Sequence, residues 1–183
     1  GLDLSAYLLE IARKEAAAAG VEVEFLEADM RAIPRPSIPY DAVINMFSAY
    51  GYLENDVEDQ KSLRAAAGVL RKGGTFLLDA MNREAAIRHW QPWRWSEQEN
   101  GSLFAERMRF DIREGRQYVT EVLVRADGRR TTDSYSYRLY AYTEIARQLG
   151  EEGFSPESFE VWGDFDSSRY RVDSPRMIVL AKK

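Results

Sequence analysis

Two nearly uninterrupted apolar runs, Ala42-Val43-Ile44-Asn45-Met46-Phe47 and Thr75-Phe76-Leu77-Leu78-Asp79-Ala80, constrain this chain more than any other feature. A strand with one wet face alternates in polarity. A strand that is apolar throughout has to be covered on both faces, as in a parallel sheet. Between the two runs, Asp56 to Arg71 carries Val57, Leu63, Ala67 and Leu70 at helical spacing, and Gly73-Gly74 marks its end. Upstream, Gly1 to Asp3 reads as the tail of a buried strand. Ser5 is a good N-cap, with Leu4 and Leu9 at the positions of a hydrophobic staple. Leu8, Ile11 and Ala12 share one face of the helix that runs to Gly20. Val21 to Ala28 is predicted as a strand with one polar face, Val21, Val23 and Phe25 opposing Glu22 and Glu24. Asp29 to Pro39 holds three prolines and must be loop. The order strand, helix, strand, loop, strand, helix, strand is that of a doubly wound α/β sheet.

After a short helix predicted over Glu84 to Trp90, the period changes to two. Leu103 to Arg113, Tyr118 to Arg125 and Thr131 to Ala141 read as three antiparallel strands, with Asp127-Gly128 as a hairpin turn. Trp90, Trp93 and Trp95 just ahead of them are expected to bury the seam between this meander and the main sheet. Thr143 is expected to cap a helix through Gly150. Phe159–Phe165 and Met177–Ala181 are two last strands. Their link is too short for a helical crossover, so they should pair antiparallel. The expected organisation is a Rossmann-like core over 1–90 and 142–183, with an inserted antiparallel β subdomain over 91–141.

Composition removes whole classes of chemistry. The 183 residues include no cysteine and one histidine, which excludes thiol catalysis, disulfides, thiolate zinc sites and multi-histidine metal centres. A net charge of −5 speaks against non-specific nucleic-acid binding. No apolar run approaches the length of a membrane span, and the apolar stretches are broken by charge, so the expectation is a cytoplasmic α/β protein. The first strand has nothing ahead of it to pair its amides, so further sequence is expected before Gly1.

A parallel sheet that finishes in an antiparallel hairpin resembles the class I S-adenosylmethionine-dependent methyltransferases, and so do local motifs along the chain. Gly1-Leu2-Asp3-Leu4-Ser5 is similar to the end of that family's second strand. Glu27-Ala28-Asp29-Met30 is similar to the acidic motif after its third, and Tyr40 to Phe47 to its fourth-strand motif. Leu70 to Phe76 is similar to its helix-to-fifth-strand turn, and Tyr142-Thr143-Glu144-Ile145 with Gly153-Phe154 to its last helix. The loop Phe47 to Tyr52 and the meander resemble the small-molecule branch, which includes glycine or sarcosine and amino-sugar N-methyltransferases. The family's glycine-rich first motif would lie upstream of Gly1.

The resemblance implies S-adenosyl-L-methionine as cofactor, and methyl transfer to N or O of a small molecule. A carboxylate at Asp3 suits the ribose hydroxyls. Asp29 suits the exocyclic amine of adenine, with Leu4 and Met30 against the base. Asn45, Met46 and Phe47 then end a strand beside the sulfonium. Tyr50 and Tyr52 are candidate acceptor-binding phenols, joined by Asn82. His89 is the default general base because its unperturbed pKa is near neutral; Asp79 is a rival base, and Tyr52 is a further catalytic candidate. No metal is implied. A homodimer through the inserted sheet is an expected partner arrangement. Two other readings stand beside this one: a non-catalytic methyltransferase-like fragment that self-associates, and a nicotinamide-dependent Rossmann protein.

Overall fold

The computed structural model describes all residues from Gly1 to Lys183. The elements run β1 (Leu2–Asp3), α1 (Ala6–Ala18), β2 (Leu26–Glu27), β3 (Tyr40–Asn45), α2 (Asp56–Val69), β4 (Leu70–Met81) and α3 (Arg83–Arg88). There follow β5 (Trp93–Glu97), β6 (Leu103–Asp111), β7 (Arg116–Val124), β8 (Arg130–Arg138), α4 (Tyr142–Glu151), β9 (Ser155–Trp162) and β10 (Arg176–Lys182). No helix is long and apolar enough to cross a membrane.

The two apolar runs lie side by side: β3 and β4 pair parallel, Val43 opposite Phe76 and Asn45 opposite Leu78. Beyond β4 comes β10, antiparallel to it, and then β9, antiparallel to β10. One face of this sheet presents Phe76, Leu78, Ala80, Met177, Val179 and Ala181 to Leu63, Ala66 and Ala67 of α2 and to Ile145 and Leu149 of α4. All are buried. Each large side chain there contributes about 1.5–3 kcal/mol, so this face dominates the stability of the molecule. The other face is less covered at its edge, where Ile44 of β3 is 66% exposed.

β1 and β2 form a separate parallel pair, Leu2 opposite Leu26 and Asp3 opposite Glu27. The predicted strand over Val21 to Ala28 shrinks to these two residues. A strand persists only where a partner takes its amides, and β1 offers two residues. Val21 and Val23 are exposed instead. Ser5 does cap α1, accepting from the Leu8 N–H at 3.2 Å. The staple does not close, because Leu9 is buried while Leu4 and Leu8 stay more than half exposed.

The meander has four strands, in the order β5-β6-β7-β8, each antiparallel to the next. The tryptophans do not bury its seam. Trp93 and Trp95 lie on the edge strand β5, 64% and 76% exposed, and Trp90 is 39% exposed. The seam is filled by Met108, Val119, Tyr137 and Leu139, with Met81 of β4 and Ala86 of α3 packed on them. The cap of α4 also differs from expectation. Ala141 occupies it, and the Glu144 carboxylate accepts from its N–H at 2.8 Å; Thr143 is inside the helix.

Candidate functional site

The residues expected to hold a nucleoside stand at or just past the carboxyl ends of β1, β2 and β3, which belong to two separate sheets. Asp3 ends β1 directly opposite the last residue of β2. One of its oxygens accepts from the Ser5 N–H at 2.7 Å, across the start of α1. The other has no partner in the chain. Asp29 follows two residues after β2 and opens a single 3₁₀ turn, Met30–Ala32. Its carboxylate accepts from the Arg31 N–H at 2.8 Å and is held by the Arg31 guanidinium through Nε and Nη2, the latter at 2.6 Å. The hydrogen bonds from the Arg31 side chain hold the Asp29 carboxyl below its usual range. Leu4 is exposed and Met30 half-buried beside these acids.

Asn45 ends β3, and its Oδ1 is buried without a hydrogen-bond partner. Met46 follows, half-buried. Then Phe47 and Ser48 both adopt left-handed backbone, φ 57° and 59°. Such residues cost about 1–3 kcal/mol each and persist only where their surroundings impose them. Here Asp79 imposes them. Its Oδ2 accepts from the Phe47 N–H at 2.7 Å, and its carbonyl from the Ser48 N–H at 3.0 Å. Arg176 of β10 binds the second oxygen, Nε to Oδ1 at 2.7 Å, and reaches Ser48 Oγ at 3.3 Å. Asp79 is fully buried. With both oxygens engaged it is not placed as a base; it shapes the turn that leaves Phe47 81% exposed at the tip of β3.

The loop after this turn separates the two predicted phenols. Tyr50 is buried, its hydroxyl donating to Gln148 Oε1 at 2.9 Å and its ring 5.0 Å from that of Tyr140. It is a core residue and does not face an acceptor. Tyr52 is half-exposed and stacks on Tyr135 and Tyr137 of the inserted sheet, at 5.9 and 5.4 Å. Partial burial pushes its phenol pKa up. Asn82 is buried as well. Its Oδ1 caps α3 and accepts from the Tyr170 hydroxyl, and its Nδ2 donates to the Arg171 and Ser174 carbonyls. That side chain has no capacity left for an acceptor. His89 is the exposed C-cap of α3.

Three residues absent from the sequence reading organise this region. Arg31 clamps Asp29, Arg176 clamps Asp79, and Asp59 accepts from the Gly51 and Leu53 N–H groups and the Tyr140 hydroxyl. Arg31 had a local signal, since its spacing from Asp29 permits a closed turn. Arg176 and Asp59 act across distances in sequence that no local pattern reports. Two surface grooves lie elsewhere, one lined by α1 and residues 21–25, the other by Trp93, Arg107, Arg109 and Tyr118 of the meander.

Residues 1–74 match a family model described as a methyltransferase domain. Over 78 residues the chain is 40% identical to the demethylmenaquinone methyltransferase of Thermus thermophilus, covering 43% of this chain and 34% of that protein. The chain thus matches about a third of the length of this curated relative. Among solved structures, the CcbJ methyltransferase from Streptomyces caelestis superposes with a TM-score of 0.85 at 18% identity, over 99% of this chain and 72% of its own. This is a class I methyltransferase fold. An S-adenosylmethionine-dependent methyltransferase from Clostridium acetobutylicum gives a TM-score of 0.81 at 14% identity, over 99% and 73% of the two chains. The sugar N-methyltransferase KedS8 from Streptoalloteichus gives 0.71 at 18%, over 100% and 70%. In the methyltransferase fold, β10 running antiparallel between β4 and β9 is the closing hairpin of the sheet.

Proposed function

We propose that this chain serves methyl transfer from S-adenosyl-L-methionine to N or O of a small-molecule acceptor, by in-line displacement. One observation carries the reading. Within a methyltransferase fold, Asp3, Asp29, the orphaned Asn45 Oδ1 and the exposed Phe47 all stand at the carboxyl ends of β1, β2 and β3. Ligands of open α/β sheets bind at such ends.

The residues present fit the cofactor. Asp3 has one free carboxylate oxygen for the ribose hydroxyls, and Asp29 is kept ionised to accept from the adenine amine. Leu4 and Met30 offer apolar surface to the base. A buried acceptor without a donor costs about 1–3 kcal/mol, so Asn45 Oδ1 is a place where an amine or hydroxyl donor of the cofactor would be favoured. When bound, the cofactor supplies an electrophilic methyl group on a sulfonium. Phe47, held outward by Asp79, limits water at that end, and Tyr52 orients the acceptor. His89 carries no step in this proposal, being an exposed helix cap. The acceptor class is supported by KedS8, named as a sugar N-methyltransferase. We include a homodimer through the inserted sheet, supported by the exposed Trp93 and Trp95 on its edge strand.

Calorimetric titration tests the cofactor half. S-adenosylhomocysteine should give a saturable one-to-one isotherm, and NAD none. No heat with S-adenosylhomocysteine would contradict the proposal; binding of NAD alone would favour a nicotinamide protein. Transfer of label from methyl-tritiated cofactor to a panel of small amines and alcohols tests the acceptor half, with label in either class expected and label in neither contradicting it.

A further inference from the structure

The meander has a face turned away from its seam. Register sets Trp93 of β5 opposite Arg107 of β6, Arg107 opposite Thr120 of β7, and Arg109 opposite Tyr118. Paired residues share a face of a sheet and successive residues alternate between faces. These five therefore stand together, on the other side from Met108, Val119 and Tyr137. With Pro92 they line a groove of about 450 Å³, a size common among small-molecule sites.

Two guanidiniums border this groove. Arg109 lies over the Tyr118 ring at 4.0 Å and touches Asp111 at 3.3 Å, so its charge is held in place and partly met. Arg107 is exposed, 5.8 Å from the centre of the Trp93 ring, and no carboxylate stands within ion-pair distance of it. Arginine keeps its charge at any ordinary pH, and a second cation two residues away makes an unmatched one costlier. In a chain of net charge −5 the groove is a positive exception. Beside Arg107, the Thr120 hydroxyl accepts from Ser134 at 3.2 Å and keeps its own proton to donate.

Shape narrows the ligand further. Side chains two residues apart on a strand stand about 6.5–7 Å apart, close to twice an optimal carbon–carbon contact, so a flat ring fits between them. Trp93 is 64% exposed and offers an indole face. A carboxylate is matched by one guanidinium through two parallel hydrogen bonds, which Arg107 supplies alone. A phosphate dianion would call on a second cation, and Asp111 already occupies Arg109.

We propose that this groove is a second small-molecule site that takes an aromatic carboxylate, the carboxylate on Arg107 and Thr120 and the ring against Trp93 and the Arg109–Tyr118 stack. It goes beyond the methyl-transfer reading and does not depend on it.

The test is calorimetric titration of the chain with 1-naphthoate, beside 1-naphthamide, cyclohexanecarboxylate and inorganic phosphate. Naphthoate should give a saturable one-to-one isotherm, cyclohexanecarboxylate and the amide should each bind about tenfold more weakly or worse, and phosphate should give none. Arg107→Gln should weaken naphthoate by about tenfold or more, the scale of a hydrogen bond to a charged group, and leave the amide nearly unchanged. Trp93→Ala should weaken both. Both positions are exposed, so each variant should keep the wild-type melting temperature. Saturating S-adenosylhomocysteine should leave the naphthoate isotherm in place; competition between the two would put naphthoate at another site and overturn the inference. Equal affinities for naphthoate and its amide, unchanged naphthoate affinity in Arg107→Gln, or phosphate binding as tight as naphthoate would also overturn it. So would the lack of any naphthoate isotherm, and a smaller sedimentation coefficient for Trp93→Ala in that case would give the groove to a second copy of the chain.

Discussion

At the residue scale, the site divides into groups with free capacity and groups already spent. Asp3 keeps one oxygen unbonded. Asp3→Ala should weaken S-adenosylhomocysteine by about 1–3 kcal/mol, the cost of losing a charged hydrogen-bond partner. Calorimetry on the two proteins reads it, and equal affinities would make Asp3 only a helix-start acid. His89 makes no side-chain hydrogen bond and is exposed. His89→Ala should leave both the affinity and the melting temperature where they were. Asp79 is the opposite case. Removing it strands the Arg176 guanidinium and the Phe47 N–H, so Asp79→Ala should cost about 3–5 kcal/mol in chemical denaturation, as for other broken buried ion pairs. A loss under 1 kcal/mol would mean that the turn holds itself. That Asp3, Asp29 and Asn45 stand at or just past strand ends was legible because strand ends are visible in hydropathy. It misread Tyr50, Asn82 and Asp79 because their occupants, Gln148, Ser174 and Arg176, come from far along the chain.

At the element scale, the loop between β3 and α2 is fastened at both ends by buried acids. Asp79 takes its first amides; Asp59 of α2 takes those of Gly51 and Leu53. From the other side, the Arg138 N–H donates to the Gly51 carbonyl at 2.7 Å and Arg116 to the Leu53 carbonyl at 2.8 Å. The inserted sheet thus fixes the loop that carries Tyr52. Gly51 allows this approach. It has φ 107°, and a Cβ there would strike the Arg138 carbonyl oxygen. Gly51→Ala should cost about 2 kcal/mol or more, read from denaturant midpoints, because strain and collision add. Burial raises the Asp59 pKa, with the Tyr140 hydroxyl and two amides opposing that shift. A carboxyl whose folded pKa is raised contributes stability that is full below its unfolded value and is lost as pH rises through the folded value. In Asp59→Asn the amide oxygen still accepts from Gly51 and Leu53 without a buried charge. Its melting temperature should therefore improve relative to wild type between pH 4 and 7, and a relative decline over that range would show that the charge itself holds the loop.

At the scale of the whole molecule, the order of elements was legible and the lateral pairing was not. Apolar runs and helical periods identify β3, α2, β4, α4 and the final hairpin, although the cover expected on both faces of β3 is absent, none of its residues being buried. Residues 21–25 alternate as well as any strand, yet form none, because strand formation depends on a neighbour and two-residue β1 offers little backbone. β5 went unseen for the reverse reason: Trp93 to Glu97 is exposed throughout and pairs only with β6. The molecule presents β1 and β2 as one pair, β3, β4, β10 and β9 as a second sheet and the meander as a third, the first two joined in part by Arg31 reaching Glu58. An adenosyl ligand at the tips of β1, β2 and β3 would touch both parts. Hydrogen exchange with and without S-adenosylhomocysteine examines this directly. Slowed exchange should be confined to residues 2–5, 28–32 and 45–48, with the outer meander strands unchanged. Slowing confined to the groove beside α1 and residues 21–25, or to the face bearing Trp93 and Arg109, would contradict the account.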